Sequence, residues 1–367
     1  MIKLTVNAKE LNNVVKFIAG ISNKYSINQN ETNVKVVVSK KSKIIFAAKE
    51  NYLEVKVPSI KAEKEGEFVI DAFFLEKLPT RAAETTIEVN KDDEGSYSIS
   101  YENGKSKGKL TIANDISGFN KQLMDSSEFP SKFIRLSREQ LAGTVNKVLF
   151  TSTDSDLDKK VGLPIKIISK GKEVIIYSGD RDTALIYKLT LKEKAEKCEI
   201  LTQGSLIKDT FAFTKDFVDF ASNEAQTRVK SSNFDLIVPT QELELFNLED
   251  WLSQNSKELS KITFKMQDFI EALEDTSIIS DIASIDSRFN MIYKNGKVTI
   301  INKANVGQAK ATFKVKGTKE FNLYSQAEWF TNIQKNFDGE VIMTILPSCC
   351  IVRNKEETVK AIIPMSE

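Results

Sequence analysis

Short alternations of apolar and polar residues dominate the chain and predict β-strands. Segments such as TNVKVVVS (32–39), TTIEVN (85–90) and KVTIINK (297–303) place apolar side chains at every second position and are bounded by turn residues. Such alternation is typical of antiparallel sheets that bury one face and leave the other polar. The chain is therefore expected to be rich in antiparallel sheet, with few helices.

A strand followed by an amphipathic helix is predicted three times, at domain-sized intervals. The three segments are LTVNAKELNNVVKFI from Leu4, IRLSREQLAGTVNKV from Ile134 and ITFKMQDFIEALEDT from Ile262. Four apolar positions match in every copy: Leu4, Val6, Leu11 and Val15; Ile134, Leu136, Leu141 and Val145; Ile262, Phe264, Phe269 and Leu273. Four matches at fixed spacing in three copies indicate an internal repeat, although each position alone fits ordinary core packing.

A second signature falls once within each repeat. FVIDAFFLEKL from Phe68, FAFTKDFVDFA from Phe211 and FNLYSQAEWFTNI from Phe321 are each expected to be a strand that ends at a polar residue and opens a helix. Polar connectors at 123–131 and 251–260 precede the second and third copies. The prediction is an α+β protein of three tandem domains, 1–128, 129–254 and 255–367.

Composition gives no whole-chain field for nucleic acid or lipid. The chain has 52 Lys+Arg against 51 Asp+Glu, a net charge of +1, so any electrostatic role must depend on local arrangement. The first residues lack a signal-peptide pattern and no run is long enough to span a membrane. Cys198, Cys349 and Cys350 form neither a disulfide framework nor a metal-ligand pattern. A reducing, cytoplasmic location without membrane contact is expected.

Candidate catalytic groups are scarce. The chain has no histidine, which removes the commonest general base, the usual catalytic triad and most zinc sites. Asp180 and Asp182 form a local carboxylate pair, but no glycine-rich phosphate loop or metal-ligand pattern surrounds them, so turn chemistry is the preferred interpretation. The sequence predicts a protein that is not an enzyme and needs no cofactor or metal.

The C-terminal segment VKAIIPMSE (359–367) predicts a last strand. Pro364 cannot donate to a sheet and is expected to release the residues after it, which would make them available as a working surface. The alternative is an ordinary frayed end.

These features together resemble the bacterial-type DNA polymerase sliding clamp, the beta subunit of DNA polymerase III. The resemblance covers essentially the whole chain and is carried by its length, the three repeats, LTVNAKEL (4–11), LFTSTDSDLDKKVGLPIKI (149–167) and AIIPMSE (361–367). It implies two helices backed by antiparallel sheets in each domain and two chains joined head to tail in a six-domain ring. Such a homodimer encloses duplex DNA without reading its sequence and makes the replicative polymerase processive.

The resemblance also implies a hydrophobic pocket between domains two and three. There the polymerase, the clamp loader and other proteins with a clamp-binding motif insert a short peptide. The residues that match the pocket are Val161, Ser178, Asp180, Arg181, Thr183, Pro239, Leu243, Ile285, Ile363, Pro364 and Met365.

The chain departs from the family pattern in three places. Asp158 and Leu243 stand where the family usually has arginines, and Ser366-Glu367 replaces a basic-apolar pair. A less basic pocket mouth implies a different preferred peptide. These departures fit a divergent clamp, such as one from a phage or another mobile element.

A lysine-bearing helix face is the first candidate for DNA contact. Lys9, Asn13 and Lys16 lie opposite the apolar stripe of the first predicted helix. The alternative is an ordinary solvated face. The resemblance adds three further candidates: Lys24, Lys159 and Lys160.

Acidic residues limit the positive charge of the equivalent faces. Glu139, Glu271 and Glu274 occupy them in the second and third repeats, so weak and salt-sensitive contact with DNA is expected.

Ring closure needs an interface between domain one of one chain and domain three of the next. The resemblance places Leu110 and Ile112 of an edge strand against Ile278 and Ile279 at the end of the third-domain helix. The alternative is that all four belong to the core. A clamp-like scaffold that binds proteins without encircling DNA is the second functional hypothesis, and it would lack the ring interface and the lysine-lined face.

Overall fold

The computed structural model describes residues 1–24, 33–41, 43–47, 51–71, 74, 76–78, 81–91, 97–112, 132–148, 164–179, 183–223, 226–239, 257–283, 288–305 and 307–366. The helices within these residues are α1 (Ala8–Lys24), α2 (Arg138–Val148), α3 (Gly204–Phe213), α4 (Met266–Ala283) and α5 (Ala327–Ile333). A 3₁₀ turn at Gln334–Asn336 follows α5.

Strands make up most of the remaining described residues. The first twelve are β1 (Ile2–Asn7), β2 (Asn33–Ser39), β3 (Lys43–Ala47), β4 (Tyr52–Lys56), β5 (Lys61–Lys64), β6 (Gly66–Asp71), β7 (Glu84–Lys91), β8 (Tyr97–Asn103), β9 (Ser106–Ile112), β10 (Ile134–Ser137), β11 (Pro164–Gly179) and β12 (Ala184–Gln203). The others are β13 (Phe217–Ser222), β14 (Gln226–Ser231), β15 (Phe234–Pro239), β16 (Ser260–Lys265), β17 (Arg288–Lys294), β18 (Lys297–Ala304), β19 (Gly307–Lys314), β20 (Lys316–Gly317), β21 (Phe321–Gln326), β22 (Glu340–Ile345), β23 (Cys349–Asn354) and β24 (Val359–Pro364).

One compact unit contains residues 1–141 and 206–242. It holds a five-stranded sheet of order β5-β1-β7-β8-β9 and an eight-stranded sheet of order β10-β13-β14-β15-β4-β3-β2-β6. All pairings are antiparallel, and β15 pairs with β4, which is remote in sequence, with Phe234 opposite Val55. Phe17 of α1 stacks on Phe213 with ring centroids 4.6 Å apart and meets Phe234 edge-on, so the helix packs on this sheet through aromatic side chains.

The other compact unit contains residues 142–205 and 243–367. Its seven-stranded sheet has the order β11-β12-β24-β23-β22-β16-β20, and its four-stranded sheet has the order β19-β18-β17-β21. Phe269 of α4 meets Phe289 and Phe313 edge-on, with centroids 6.1 and 6.0 Å apart, which fixes the core-facing side of the four-stranded sheet. The two larger sheets each join strands from two of the expected domains, and the division into three domains stays a prediction.

The threefold strand–helix repeat is confirmed. The pairs are β1–α1, β10–α2 and β16–α4, and their matched apolar residues are buried except for half-buried Val145. Asn7 caps α1 by accepting bonds from the amides of Lys9 and Glu10, each 3.1 Å long. Ser137 and Gln140 form a reciprocal capping box at the start of α2, with distances of 3.2 and 2.9 Å.

The second signature is confirmed in the third repeat and is wrong in the second. β21 leads directly into α5 as expected, whereas the order within FAFTKDFVDFA is helix then strand. The hydroxyls of Thr210 and Thr214 each donate to the carbonyl four residues back, at 2.7 Å, which is helical geometry. Phe211 and Phe213 are two positions apart, as alternate residues of a strand are, and this spacing favoured a strand. The backbone is helical here instead, and both side chains are only half-buried.

Candidate functional site

The C-terminal strand β24 lies between β12 and β23 in the seven-stranded sheet. Ala184 of β12 is opposite Ile362, and Cys349 of β23 is opposite Pro364. The successive residues Ile362 and Ile363 are both buried, so apolar contacts cover both faces of the strand at this point. The expected last strand is confirmed.

The expectation that Pro364 releases the residues after it is wrong. The Met365 amide donates to the Ser348 carbonyl at 2.9 Å, and the Ser325 hydroxyl donates to the Pro364 carbonyl at 2.8 Å. Proline removes only its own donor, and the next amide finds an acceptor at once.

The alternative of a frayed end is also wrong for Ser366. Its amide donates to the Tyr324 carbonyl at 3.0 Å, and the Tyr324 amide donates back to the Ser366 carbonyl at 2.7 Å. This reciprocal pair is an isolated antiparallel bridge to β21. The tail is therefore held on the four-stranded sheet as well as on the seven-stranded one.

Several residues expected in the pocket lie close to this tail. Ser178 near the end of β11 and Thr183 just before β12 are both buried, and the neighbouring Ala184 pairs with β24. Ile363 is fully buried and Met365 is 5% exposed, whereas Pro364 is half-buried. The structure thus brings Ser178, Thr183 and the tail to one end of the sheet.

Other expected site residues lie outside the described residues or are placed by backbone alone. Those outside are Val161, Asp180, Arg181, Leu243, Ile285, Lys159, Lys160 and the departures Asp158 and Glu367. Those placed by backbone position are Pro239 in β15, Lys24 in α1, and Leu110 and Ile112 in β9.

An apolar cluster beside the tail was missed by the sequence reasoning. Its buried members are Tyr177, Ile186, Leu346, Cys349 and Ile362, and half-buried Ile168, Ile175, Ala184 and Ile351 pack against it. The sequence signal for this cluster was the pair of adjacent apolar residues in each of two strands, Cys349-Cys350 and Ile362-Ile363. Adjacent strand residues point to opposite faces of a sheet, so two apolar neighbours indicate a strand that is covered on both faces, and all four side chains are buried here.

Three cations lie close together on neighbouring strands: Lys360 on β24, Lys188 on β12 and Arg353 on β23. Burial lowers the pKa of Lys360, and the nearby charges of Lys188 and Arg353 lower it further. The Lys360 Nζ lies 3.3 Å from Glu357, and the Lys188 Nζ lies 3.4 Å from Glu173. The cations crowd one another although each has a carboxylate nearby.

The lysine face of α1 is exposed as expected. Lys9, Asn13 and Lys16 are all exposed, whereas Leu11 and Val15 are buried. Neither lysine lies within ion-pair distance of a carboxylate among the described residues. Two cations that face solvent, with no carboxylate partner in the described part of the chain, are available to an anionic ligand. The acidic counterparts Glu139, Glu271 and Glu274 are exposed too.

The strand expected at the ring interface lies at the edge of its sheet. β9, which carries Leu110 and Ile112, is the edge strand of the five-stranded sheet, and β19 is an edge of the four-stranded sheet. Ile278 near the end of α4 is 58% exposed, and Ile279 is half-buried. The alternative that Ile278 belongs to the core is therefore wrong.

The described part of the chain has no membrane-spanning helix and no cluster of metal ligands. No helix there combines the length and apolarity needed to cross a membrane. No group of three or more metal-ligating Cys, Asp or Glu side chains occurs there either.

Comparison by sequence finds no relative. No protein-family model matches the chain. No curated protein sequence matches it significantly.

Comparison by structure gives full-length matches. The DNA polymerase sliding clamp of Bacillus subtilis superposes with a TM-score of 0.78 at 16% identity, covering 100% of this chain and 99% of that one. The DNA polymerase III subunit beta of Pseudomonas aeruginosa gives 0.79 at 14% identity, and the beta subunit of Thermotoga maritima gives 0.78 at 11%; both alignments cover 100% of each chain. From end to end, the chain has the α+β fold of DNA polymerase sliding clamps.

Proposed function

We propose that this protein is a DNA sliding clamp, a homodimeric ring that encloses duplex DNA and holds a replicative polymerase on it. The observation that carries the proposal is the structural match to sliding clamps, which covers 99–100% of both chains. The protein would act without catalysis, in the cytoplasm where the DNA is replicated. The chain divides, in this proposal, into clamp domains 1–128, 129–254 and 255–367.

Ring closure is supported by two sheet edges and one exposed side chain. An edge strand offers unpaired backbone groups to another strand, and both β9 and β19 are edges among the described strands. In the single chain the large apolar side chain of Ile278 is exposed to water. Contact with Leu110 and Ile112 of a second copy would bury it.

DNA contact is supported by the exposed lysines of α1. Lys9 and Lys16 lie about two turns apart on one solvent-facing side of the helix, so they would meet phosphates and not bases. Contact of this kind is independent of sequence and weakens with salt, which suits a protein that slides. Lys24, Lys159 and Lys160 are assigned to the same surface.

Partner docking is supported by the composition of the tail and its surroundings. Pro364 and Met365 lie at the same end of the seven-stranded sheet as Ser178 and Thr183, and the neighbouring Ile362 and Ala184 belong to an apolar cluster. Methionine adapts its shape to different guests, which suits a surface that receives several peptides from polymerase, clamp loader and other proteins. The remaining pocket residues of the proposal are Val161, Asp180, Arg181, Pro239, Leu243, Ile285 and Ile363.

The proposal is tested first by solution mass. Light scattering across a dilution series is expected to give twice the chain mass of 41.3 kDa at high concentration and the chain mass after dissociation. A single-chain mass at every concentration would contradict ring formation and favour the non-encircling scaffold.

A further inference from the structure

One face of the four-stranded sheet concentrates positive charge. In β17 the side chains of Phe289, Met291 and Tyr293 are buried toward α4, so the alternate residues of the sheet point away from that helix. The cations on this outward side, here called the basic sheet face, are Arg288, Lys294, Lys297, Lys303, Lys310 and Lys314.

Acidic residues are missing from these strands altogether. The sequences of β17, β18, β19 and β21 contain no Asp or Glu, in a chain whose 51 acids almost balance its 52 bases. None of the six cations has a carboxylate within 4.0 Å among the described residues. The face is thus a local excess of charge in a nearly neutral protein.

The arrangement of the lysines opposes sheet stability. Lys297 is directly opposite Lys294 on one side and Lys314 on the other, so three lysines are direct neighbours across three strands. Like charges directly opposite each other destabilise a sheet. Folding alone therefore gives no reason for this row of lysines.

Several lysines on other sheets of the chain have acidic partners. Lys35 lies 2.8 Å from Glu67, Lys43 lies 2.5 Å from a Glu54 oxygen, and a distance of 2.7 Å separates Lys166 from Glu199. The six cations of the basic sheet face have no such partner among the described residues. An external anion would supply the counter-charge that the described residues of the chain do not.

The uncharged residues of the face narrow the choice of anion. Tyr324 is 40% exposed and sits opposite Asn290, whose amide donates to the Asn322 side chain at 2.6 Å. The hydroxyls of Thr299 and Thr312 are 3.1 Å apart. An exposed phenol ring among cations, amides and hydroxyls offers a stacking surface for a base beside phosphate-binding groups.

We propose that the basic sheet face binds single-stranded nucleic acid, with the lysines along the phosphates and Tyr324 stacked on a base. Four strands at about 4.8 Å spacing give a face roughly 14 Å wide, enough for a few nucleotides. Duplex DNA would use the cations but leave the ring of Tyr324 without a base to stack on, because its bases are already stacked. This activity goes beyond the enclosure of duplex by a ring and needs only one chain.

The test is fluorescence anisotropy with a labelled oligothymidylate of about 16 nucleotides, within the usual range of single-strand site sizes. Lys297→Gln with Lys314→Gln is expected to weaken binding at least tenfold at low salt and to flatten the dependence of log K on log salt, since each lost phosphate contact removes about 0.7 from the slope. The pair Lys192→Gln with Lys194→Gln, exposed lysines of β12, is the matched control and is expected to change affinity less than twofold.

Tyr324 gives a second, independent readout. Tyr324→Leu is expected to lose about tenfold in affinity, because stacking on one base is lost, whereas Tyr324→Phe keeps the ring and the affinity. Removing Lys297 and Lys314 relieves repulsion, so the double variant is expected to melt no lower than the parent protein.

Three results would overturn the proposal: no binding of the oligonucleotide at low salt, equal losses from the two lysine pairs, or full affinity in Tyr324→Leu. Equal binding of polyglutamate would also overturn it and assign the face to acidic peptides. A matched duplex that binds as tightly as the single strand would overturn it too and assign the face to phosphates of any form.

Discussion

Tyr324 and Ser366 exchange two backbone hydrogen bonds, 2.7 and 3.0 Å long, and so fasten the tail to the edge of the four-stranded sheet. The residues just before Ser366 belong to the seven-stranded sheet, so a few residues connect the proposed docking surface with the proposed single-strand surface. The amides of Met365 and Ser366 donate to the carbonyls of Ser348 and Tyr324, so the backbone holds the tail in place on both sheets.

Replacement of Met365 is expected to separate docking from assembly. Met365→Ala removes most of a buried side chain at the proposed pocket, so we expect a loss of affinity for a clamp-binding peptide with no change in solution mass. A stability loss of about 2 kcal/mol is expected as well, from the cavity.

The fully buried Met343 of β22 supplies the matched control for this loss. Met343→Ala is expected to cost a similar amount of stability while peptide binding, measured by calorimetry, stays unchanged. If Met365→Ala binds the peptide as tightly as Met343→Ala does, or if Met365→Ala becomes monomeric, the tail does not line the docking pocket.

Replacement of Ile278 is expected to open the ring without unfolding the chain. This side chain is 58% exposed, so Ile278→Asp should change the free energy of unfolding by no more than about 0.5 kcal/mol. A charge buried at an interface is costly, so the dimer should dissociate to single chains. Sedimentation velocity measures this directly, with Ile278→Leu as the variant that keeps the dimer; a dimeric Ile278→Asp would exclude this helix end from the interface.

Neutralising the lysines of α1 is expected to weaken duplex contact uniformly across sequences. Each lysine that contacts a phosphate contributes about 0.9 to the slope of log K against log salt, so Lys9→Gln with Lys16→Gln should reduce the slope by nearly 2. Lys40→Gln with Lys41→Gln, in an exposed turn, is the matched control. An unchanged slope in the α1 variant would assign its lysines to an ordinary solvated face.

Alkaline pH is expected to destabilise the protein through its buried thiols. Burial raises the pKa of Cys349 to about 12 and also raises that of the fully buried Cys350. An unfolded thiol ionises from about pH 9, so above that value the unfolded state loses protons that the folded state keeps. This contribution to stability is complete below about pH 8 and declines as the pH rises toward the folded pKa.

Urea denaturation at about pH 8 and pH 10 measures the effect. Cys349→Ala should show a smaller drop between the two pH values than the parent protein, because one thiol that titrates on unfolding is gone. Val352→Ala, buried in the same strand and without a titratable group, should lose equal stability at both. Equal drops in Cys349→Ala and the parent would contradict the assignment.

The repeated strand–helix units could be predicted from sequence because their apolar residues follow two regular periods, two residues in the strand and about 3.6 residues in the helix. Leu4 and Val6 alternate on a strand, Leu11 and Val15 share a helix face, and all four are buried. The caps at Asn7 and Ser137 were equally local, since each depends on residues within three positions.

The interactions of the tail could not be predicted in this way. The bonds of Ser366 to Tyr324, and of Met365 to Ser348, join residues whose proximity is set by the packing of sheets and not by any local pattern. The order of α3 and β13 was mistaken because Phe211 and Phe213 mimic a strand over a stretch too short to show the helical period. The basic sheet face appears only when strand register places Lys294, Lys297 and Lys314 side by side.

The central claim, enclosure of duplex DNA by a ring, is tested most directly by retention on circular and linear DNA. If dimers are dissociated by dilution and then reconcentrated with closed circular duplex DNA, the rings should close around the DNA. They should then stay bound at a salt concentration that abolishes ordinary phosphate contacts. Cutting the circle once should release the protein, since a ring slides off an end, and Ile278→Asp should not be retained on either form. Equal retention on circular and cut DNA, or equal loss from both by a dimer of confirmed mass, would contradict the account.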